Sequence, residues 1–186
     1  MKFPKILFFL FLLQIHDAQL DAYLDYKSPF HPTISGNGMV VSQNLESSKI
    51  GTMILESGGN AVDAAVAVGF SLTTTLPRAG NIGGGGFMLV YIKETEELFS
   101  IDYRSRSSLN SNLEDLFGSK SPAQIQDDDY DLTKYDYKAS AVPGTVYGLL
   151  EAHERFGDLP LEKVLQPVID QARNGIIVSY DLHNAL

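Results

Sequence analysis

Residues 58–87 read GGNAVDAAVAVGFSLTTTLPRAGNIGGGGF, and this stretch carries most of the information about the fold. Asn60 is a residue type that caps helices, and Asp63 three positions later predicts a capping box at the start of a helix. The helix predicted over residues 61–74 is apolar on nearly every side, which is typical of a buried helix. We expect it to need packing layers that a domain of this length scarcely provides. Pro77 ends it, and a glycine run leads into the next apolar segment.

Shorter patterns precede this stretch. Residues 38–42, GMVVS, predict a short strand. Residues 47–56 have the spacing of a helix, and we expect Gly58-Gly59 to end that helix by supplying positive φ angles. The residues predicted on one face of the helix are Ile50, Met53 and Ile54, possibly extended by Ser57.

A hairpin and two helices are predicted after the glycine run. Residues 87–92 and 98–103 are strand-like and are joined by the polar turn KETEE, which indicates a β-hairpin. Residues 144–156 and 161–174 predict two amphipathic helices, and Gly175 is expected to stop the second.

The segment between the hairpin and these helices is polar. Residues 105–140 predict an irregular region that includes the acidic run 127–131, DDDYD. Calcium binding is conceivable there, but the run lacks the central Gly and terminal Glu of an EF-hand loop. A solvated loop is the preferred interpretation.

The amino terminus predicts export. Lys2 and Lys5 precede the apolar run 6–13, the arrangement of a secretory signal peptide. The run is shorter than the roughly 20 residues that a spanning helix requires, although an uncleaved anchor or a buried strand remains an alternative. We therefore predict a signal peptide over 1–22, an extended lead-in over 23–37 and one incomplete domain over 38–186. The predicted location is the periplasm or the exterior of the cell, without a stable membrane span.

Composition excludes several classes of chemistry. The 186 residues include 14 Lys and Arg against 23 Asp and Glu, a net charge of −9 without a basic cluster, which argues against nucleic-acid binding. No cysteine is present, so disulfides, thiolate catalysis and iron–sulfur clusters are excluded. The histidines, at positions 16, 31, 153 and 183, lack metal-ligand spacing. We expect neither a metal nor another cofactor.

The glycine run admits two interpretations. Glycines before a strand could cradle a phosphate or could let another part of the backbone approach closely. A phosphate loop runs from strand through glycines to helix, whereas residues 80–87 run from helix to strand and no Gly-Lys-Ser/Thr follows. Close packing is therefore favoured.

Arg104 is the candidate binding residue. It follows the second predicted strand, where a guanidinium could bind a carboxylate bidentately or simply be solvated. A nucleophile with a partner base is not evident: Gly-x-Ser-x-Gly is absent, Thr73–Thr75 look structural, and His153 lies on a predicted helix.

Several blocks, in order, resemble the N-terminal part of γ-glutamyltransferases, also called γ-glutamyltranspeptidases. Together they cover nearly all of residues 38–186, and their order makes the resemblance far more specific than any single glycine pair. The blocks are Ile50-Gly51, GGNAVDAAVA at 58–67, GNIGGGGFMLV at 80–90, IDYR at 101–104, VPGTVYG at 142–148, LQPV at 165–168 and ARNG at 172–175.

The resemblance implies an α+β fold, the αββα four-layer sandwich of N-terminal-nucleophile hydrolases, of which this chain is the N-terminal portion. Family proenzymes cut themselves into a large and a small subunit. The N-terminal threonine of the small subunit attacks the γ-glutamyl amide of glutathione or another γ-glutamyl compound. Water, an amino acid or a peptide then accepts the γ-glutamyl group. By position in the family pattern, Arg104 would hold the α-carboxylate of the substrate.

Two departures from the family pattern stand out. After the arginine the family usually continues with Glu and then Ala-Pro, whereas this chain has Ser105-Arg106-Ser107-Ser108. Many members have a His-Pro near a Ser early in the chain, where this one has Ser42-Gln43-Asn44-Leu45. The first departure puts in question the groups that support Arg104.

Two hypotheses about function follow. In the first, the chain belongs to a γ-glutamyltransferase or glutathione hydrolase whose threonine lies beyond Leu186, so that the chain alone is inactive. In the second, it is a truncated or degenerate member that serves as a binding or assembly module. Neither hypothesis assigns a nucleophile to these residues; the substrate-binding candidate is Arg104.

Overall fold

The computed structural model describes residues 34–126 and 137–185, and it divides into two units, residues 1–37 and 38–186. The predicted signal peptide, residues 23–33 of the lead-in and the acidic run 127–131 lie outside the described residues. The helices and strands of the described residues all belong to the second unit. They are α1 Leu45–Glu56, α2 Ala61–Thr75, α3 Pro77–Gly80, β1 Phe87–Ile92, β2 Glu97–Asp102, α4 Leu113–Phe117, α5 Thr145–Phe156, α6 Leu161–Asn174 and α7 Tyr180–Ala185.

Helix α1 packs against α2 through a stripe that contains a glycine. The stripe consists of Ser47, Ile50, Gly51 and Ile54, all buried. A Cβ on Gly51 would lie 2.7 Å from side-chain carbons of both Val40 and Val68, so glycine permits the close approach. Met53, predicted on one face with Ile50 and Ile54, is 52% exposed and lies outside the buried stripe. The helix ends as predicted, because Gly58 has a φ of 92°.

Helix α2 lies at the centre of the fold. It contacts α1, α5 and α6, and only Ala61 and Ala65 of its residues are exposed. The prediction of a buried helix is confirmed. The expectation that its burial requires packing layers from outside was wrong, because three helices of this same chain supply most of it.

The start of α2 is fixed by the predicted capping box. The Oδ1 atom of Asn60 accepts hydrogen bonds from the backbone N–H groups of Val62 and Asp63, at 2.8 and 3.0 Å. The Oδ2 atom of Asp63 accepts one from the backbone of Asn60 at 3.0 Å. Each of the two side chains thus accepts a hydrogen bond from the backbone N–H of the other residue, and this pairing sets the first residue of the helix.

Asp63 also ties α2 to the connection between α5 and α6. Its fully buried carboxylate accepts hydrogen bonds from the backbone N–H groups of Asp158, at 3.1 and 3.2 Å, and Leu159, at 3.2 Å. The Nε2 atom of His153 lies 3.5 Å from Asp63 Oδ1 and 2.9 Å from the Leu159 carbonyl oxygen. These residues form what we call the Asp63 junction, a buried carboxylate whose partners are mainly backbone donors.

A second buried polar group joins three helices. Ser47 Oγ of α1 lies 2.8 Å from Ser71 Oγ and 2.9 Å from Thr75 Oγ1, both on α2. Ser71 Oγ in turn donates to Gln171 Oε1 of α6 at 2.7 Å. We call these four side chains the hydroxyl cluster. Because each polar group has a partner, the cluster can be buried without the cost of an unsatisfied hydrogen bond.

The predicted hairpin is confirmed, with its second strand beginning and ending one residue early. Strands β1 and β2 pair antiparallel, with Phe87 opposite Asp102. One face is buried through Val90 and Ile101, whereas the opposite face is exposed; it carries Phe87, Leu89, Tyr91 and Leu98. The strand predicted at 38–42 is not formed, since none of the described residues pairs with that segment.

The last two long helices agree with the sequence. Helices α5 and α6 lie within one residue of their predicted bounds, and Gly175 ends α6 with a φ of 85°. Within residues 105–140, predicted as irregular, the described part contains α4 and short 3-10 turns at 122–124 and 137–139. No helix among the described residues is long and apolar enough to cross a membrane.

Candidate substrate-binding site

The segment that leaves β2 is held by backbone hydrogen bonds on both sides of Arg104. Tyr103 exchanges two hydrogen bonds with Gly86, at 3.1 and 3.3 Å. Arg106 exchanges two with Val142, at 2.7 and 3.1 Å, across an antiparallel bridge. Arg104 therefore lies between two anchored residues, and the path of its backbone is set before any ligand binds.

Glycines enclose Tyr103. A Cβ on Gly86 would lie 2.8 Å from its ring, and one on Gly148 would enter the ring itself. A Cβ on Gly144 would collide with the carbonyl oxygen of Tyr103, and one on Gly85 with the backbone at Ser105. The interpretation of the glycine run as a close-packing element is confirmed for Gly85 and Gly86.

The glycine loop also receives the start of α5. The carbonyl oxygen of Gly84 accepts hydrogen bonds from the backbone N–H groups of Gly144 and Thr145, at 2.8 and 3.2 Å. Thr145 Oγ1 donates to the Asn81 carbonyl at 3.3 Å. The loop therefore joins α5 to the hairpin, and Tyr103 is packed between them.

A cleft of about 390 Å³ opens beside this packing. Asp102, Arg104 and Arg106 line it, and Tyr147 and the Val142-Pro143 segment form its apolar part. Successive side chains alternate along extended backbone, so residues two apart share a face. One edge of the cleft thus carries a carboxylate and two guanidinium groups.

Among the residues that the structure describes, the charges of the cleft are not neutralised. Asp102 Oδ1 accepts the backbone N–H of Arg104 at 2.9 Å. In residues 34–126 and 137–185, no carboxylate forms an ion pair with Arg104 or Arg106. Burial raises the pKa of the Tyr103 phenol, which keeps that group uncharged at neutral pH. The described lining of the cleft therefore has a net positive charge and is suited to a carboxylate.

The other residues considered from sequence lie elsewhere. His153 belongs to the Asp63 junction. Thr73 and Thr74 donate to backbone carbonyls one turn earlier, at 2.7 and 2.8 Å, and Thr75 belongs to the hydroxyl cluster. The part of the chain that the structure describes holds no group of three or more potential metal ligands. The cleft contains binding groups without an adjacent nucleophile and base.

Sequence reasoning identified Arg104 and missed its neighbours. The alternation of Asp102, Arg104 and Arg106 after a strand was a usable signal for a shared face. The sequence holds no comparable signal that Val142 and Tyr147 lie beside Arg104. Those residues are about forty positions away along the chain, and their contact with this segment depends on how α5 packs.

Comparison with known proteins identifies the family. The sequence profile described as Gamma-glutamyltranspeptidase matches residues 47–186. The chain belongs to the γ-glutamyltranspeptidase family. The glutathione hydrolase proenzyme of Escherichia coli (strain K12) is 41% identical over 150 residues, which are 81% of this chain and 25% of that protein. The corresponding proenzyme of Pseudomonas aeruginosa is also 41% identical, over 82% of this chain and 26% of its own length.

Solved structures of the γ-glutamyltranspeptidase family show the same fold. The Helicobacter pylori γ-glutamyltranspeptidase superposes with a TM-score of 0.73 at 32% identity, covering 83% of this chain and 43% of that one. The Pseudomonas nitroreducens enzyme complexed with L-DON gives 0.70 at 38% identity, over 82% and 43%. The predicted fold class is confirmed: the chain has part of the α+β sandwich fold of the N-terminal-nucleophile hydrolases. The chain spans about a quarter of the length of the curated relatives that it matches.

Proposed function

We propose that this chain is the substrate-binding, N-terminal part of a γ-glutamyltransferase or glutathione hydrolase. The enzyme cleaves the γ-glutamyl amide of glutathione or a similar donor and passes the γ-glutamyl group to water, an amino acid or a peptide. The observation that carries the proposal is the position of Arg104: it lies within the family match and lines a cationic cleft. The reaction proceeds through an acyl-enzyme on a threonine outside these 186 residues.

In this function Arg104 binds the α-carboxylate of the γ-glutamyl group. A guanidinium presents two parallel N–H donors to a carboxylate, so it fixes both the position and the orientation of the substrate. The anchored backbone on either side of Arg104 reduces the freedom lost on binding. Orientation at this end of the substrate would direct the γ-amide toward the nucleophile.

The assembly follows from the same proposal. The matched relatives are named proenzymes, and we infer that this chain pairs with a small subunit cut from the same precursor. The protein would be exported to the periplasm or secreted. The 186-residue chain by itself is expected to release no glutamate from glutathione.

The test is an Arg104→Gln substitution in the protein expressed from its whole gene and then purified. Loss of charge-assisted hydrogen bonds to the carboxylate should raise KM for glutathione by about 10- to 100-fold, with a smaller change in kcat. Arg104→Lys should fall between, because it keeps the charge without the bidentate geometry. Lys93→Gln removes an exposed cation in the hairpin turn and serves as the control.

Two results would contradict the proposal, one its enzymatic function and the other the role given to Arg104. An unmodified protein that releases no glutamate from any γ-glutamyl donor would contradict the enzymatic function and favour a non-catalytic binding module. An active protein whose KM is the same with Gln at position 104 would retain the function and remove the role given to Arg104.

A further inference from the structure

We propose that Arg106 is a second anion-binding residue of the cleft and that it selects γ-glutamyl donors with a second carboxylate on the leaving group. This inference rests on the proposed function. It concerns the part of the substrate beyond the γ-glutamyl α-carboxylate, which Arg104 is proposed to bind.

The geometry places Arg106 beside Arg104. The two residues are two apart on extended backbone and line the same cleft. Their Cα atoms are separated by roughly 7 Å, the rise of two residues in a strand. The backbone of Arg106 is fixed by its two hydrogen bonds to Val142. Its guanidinium is therefore attached at a defined point on the cleft wall.

Among the described residues, the charge balance leaves Arg106 without a counterion once a monocarboxylate donor is bound. Asp102, Arg104 and Arg106 give the cleft edge one negative and two positive charges. The α-carboxylate and α-ammonium of a γ-glutamyl group add no net charge, so the excess positive charge remains. A second carboxylate on the donor would neutralise it.

The surroundings of Arg106 favour a bound anion over free solvation of the guanidinium. The Val142-Pro143 segment and Tyr147 line the same cleft, and their apolar surfaces lower the polarity around the charge. A carboxylate bound there would interact with Arg106 more strongly than across open water. No carboxylate on the described residues occupies that position.

The test uses two donors that differ by one carboxylate. γ-Glutamylglycine has a carboxylate on its leaving group, and γ-glutamylmethylamide is the same molecule without it. The protein is expressed from its whole gene and purified, both unmodified and as three variants: Arg106→Gln, Arg106→Lys and Lys93→Gln. For each of these proteins, kcat/KM for hydrolysis is measured with both donors. The informative quantity is the ratio of the two values, because a general loss of folding or activity cancels in it.

We expect the unmodified protein to prefer γ-glutamylglycine by about fivefold, the upper range for an exposed ion pair. Arg106→Gln should bring the ratio close to one, mainly through a higher KM for γ-glutamylglycine. Arg106→Lys should restore part of the preference, and raising the salt concentration should reduce it. Lys93→Gln removes an equal charge outside the cleft and should leave the ratio as it is in the unmodified protein.

The outcomes separate this inference from the function on which it rests. Hydrolysis of both donors with a ratio that Arg106→Gln does not change would overturn the role of Arg106 and leave the enzyme intact. The same ratio change in Lys93→Gln would show a general field effect and would also overturn it. A protein that hydrolyses neither donor would contradict the proposed function itself.

Discussion

Charged side chains lie at both ends of helix α5, but they are buried and hydrogen-bonded at one end and exposed at the other. At its carboxyl end, the carboxylate of Asp63 is fully buried and accepts hydrogen bonds from Asn60, Asp158 and Leu159. At its amino end, Arg104 and Arg106 are exposed beside Tyr147, and no described carboxylate pairs with them. At the carboxyl end, the carboxylate of Asp63 is hydrogen-bonded by the protein itself. At the amino end, the guanidinium groups of Arg104 and Arg106 are open to a ligand.

Because of this difference, mutations at one end of α5 should affect the stability of the fold, and mutations at the other end should affect ligand binding. A buried charge contributes to the fold only when its partners are complete, so changes at Asp63 should act on unfolding. An exposed charge in a cleft contributes little to folding and is available to a ligand. The same helix thus connects a site where mutation should cost stability to one where it should cost affinity.

The largest effect is expected from Asp63→Ala. The substitution removes the acceptor of the backbone N–H groups of Asn60, Asp158 and Leu159, at roughly 1–3 kcal/mol for each such group that is shielded from water. The free energy of unfolding should fall by about 3–5 kcal/mol, measured by urea denaturation with circular dichroism. Asp170→Asn, at an exposed position on α6, should change it by less than about 0.5 kcal/mol. Equal losses in the two variants would contradict the account of the Asp63 junction.

A smaller effect is expected from Gly148→Ala, which tests the other end of α5. Alanine normally stabilises a helix interior relative to glycine by roughly 0.5–1 kcal/mol. Here the new methyl group would enter the space of the Tyr103 ring, so stability should instead fall by about 1–3 kcal/mol. KM for the donor should also rise, because Tyr103 precedes Arg104.

The double variant Gly148→Ala with Tyr103→Gly provides the check on that mechanism. Glycine at 103 removes the ring and also the Cβ atom, with which the new methyl group would collide as well. Adding Gly148→Ala to Tyr103→Gly should therefore cost little or should stabilise the protein. A loss that simply adds to that of Tyr103→Gly would show that the two residues do not interact.

The smallest effect is expected on the hairpin, whose two faces can be compared at neighbouring positions. Val90 is 7% exposed and Leu89 is 72% exposed. Val90→Thr should cost about 1–2 kcal/mol because it buries a hydroxyl, whereas Leu89→Thr should cost less than about 0.5 kcal/mol. Thermal unfolding of both variants measures the difference. A large loss for Leu89→Thr would show that the outer face of the hairpin is covered in the purified protein.

The sequence predicted those features that depend on local chemistry. Asn60 with Asp63, Gly58, Gly175 and the polar turn of the hairpin each specify a helix end or a reversal through their own side chains or φ angles. The fold as a whole was then recognised from the order of the family blocks, since no single block is specific enough.

Features that depend on distant partners were missed or misjudged. Met53 shares the helical spacing of Ile50 and Ile54 but is exposed, because the buried stripe on α1 is set by the close approach at Gly51, which requires knowledge of Val68. Residues 38–42 are apolar like a strand, yet a strand also needs a neighbour to pair with. The cleft itself requires the bridge from Arg106 to Val142, and no local pattern indicates it.

The hydroxyl cluster has a consequence for the direction of its protons. Each hydroxyl has one proton to donate, and Ser71 gives its own to Gln171. With the amide oxygen of Gln171 facing Ser71, Ser47 donates to Ser71, and the oxygen of Ser47 accepts from Thr75 at 2.9 Å. The protons then run from Thr75 to the amide oxygen of Gln171. Turning that amide over would make Ser71 an acceptor and would reverse the protons, with Thr75 donating to the Ser71 carbonyl at 3.2 Å. The orientation of one amide on α6 is thus coupled to the direction of the hydroxyl protons on α1 and α2.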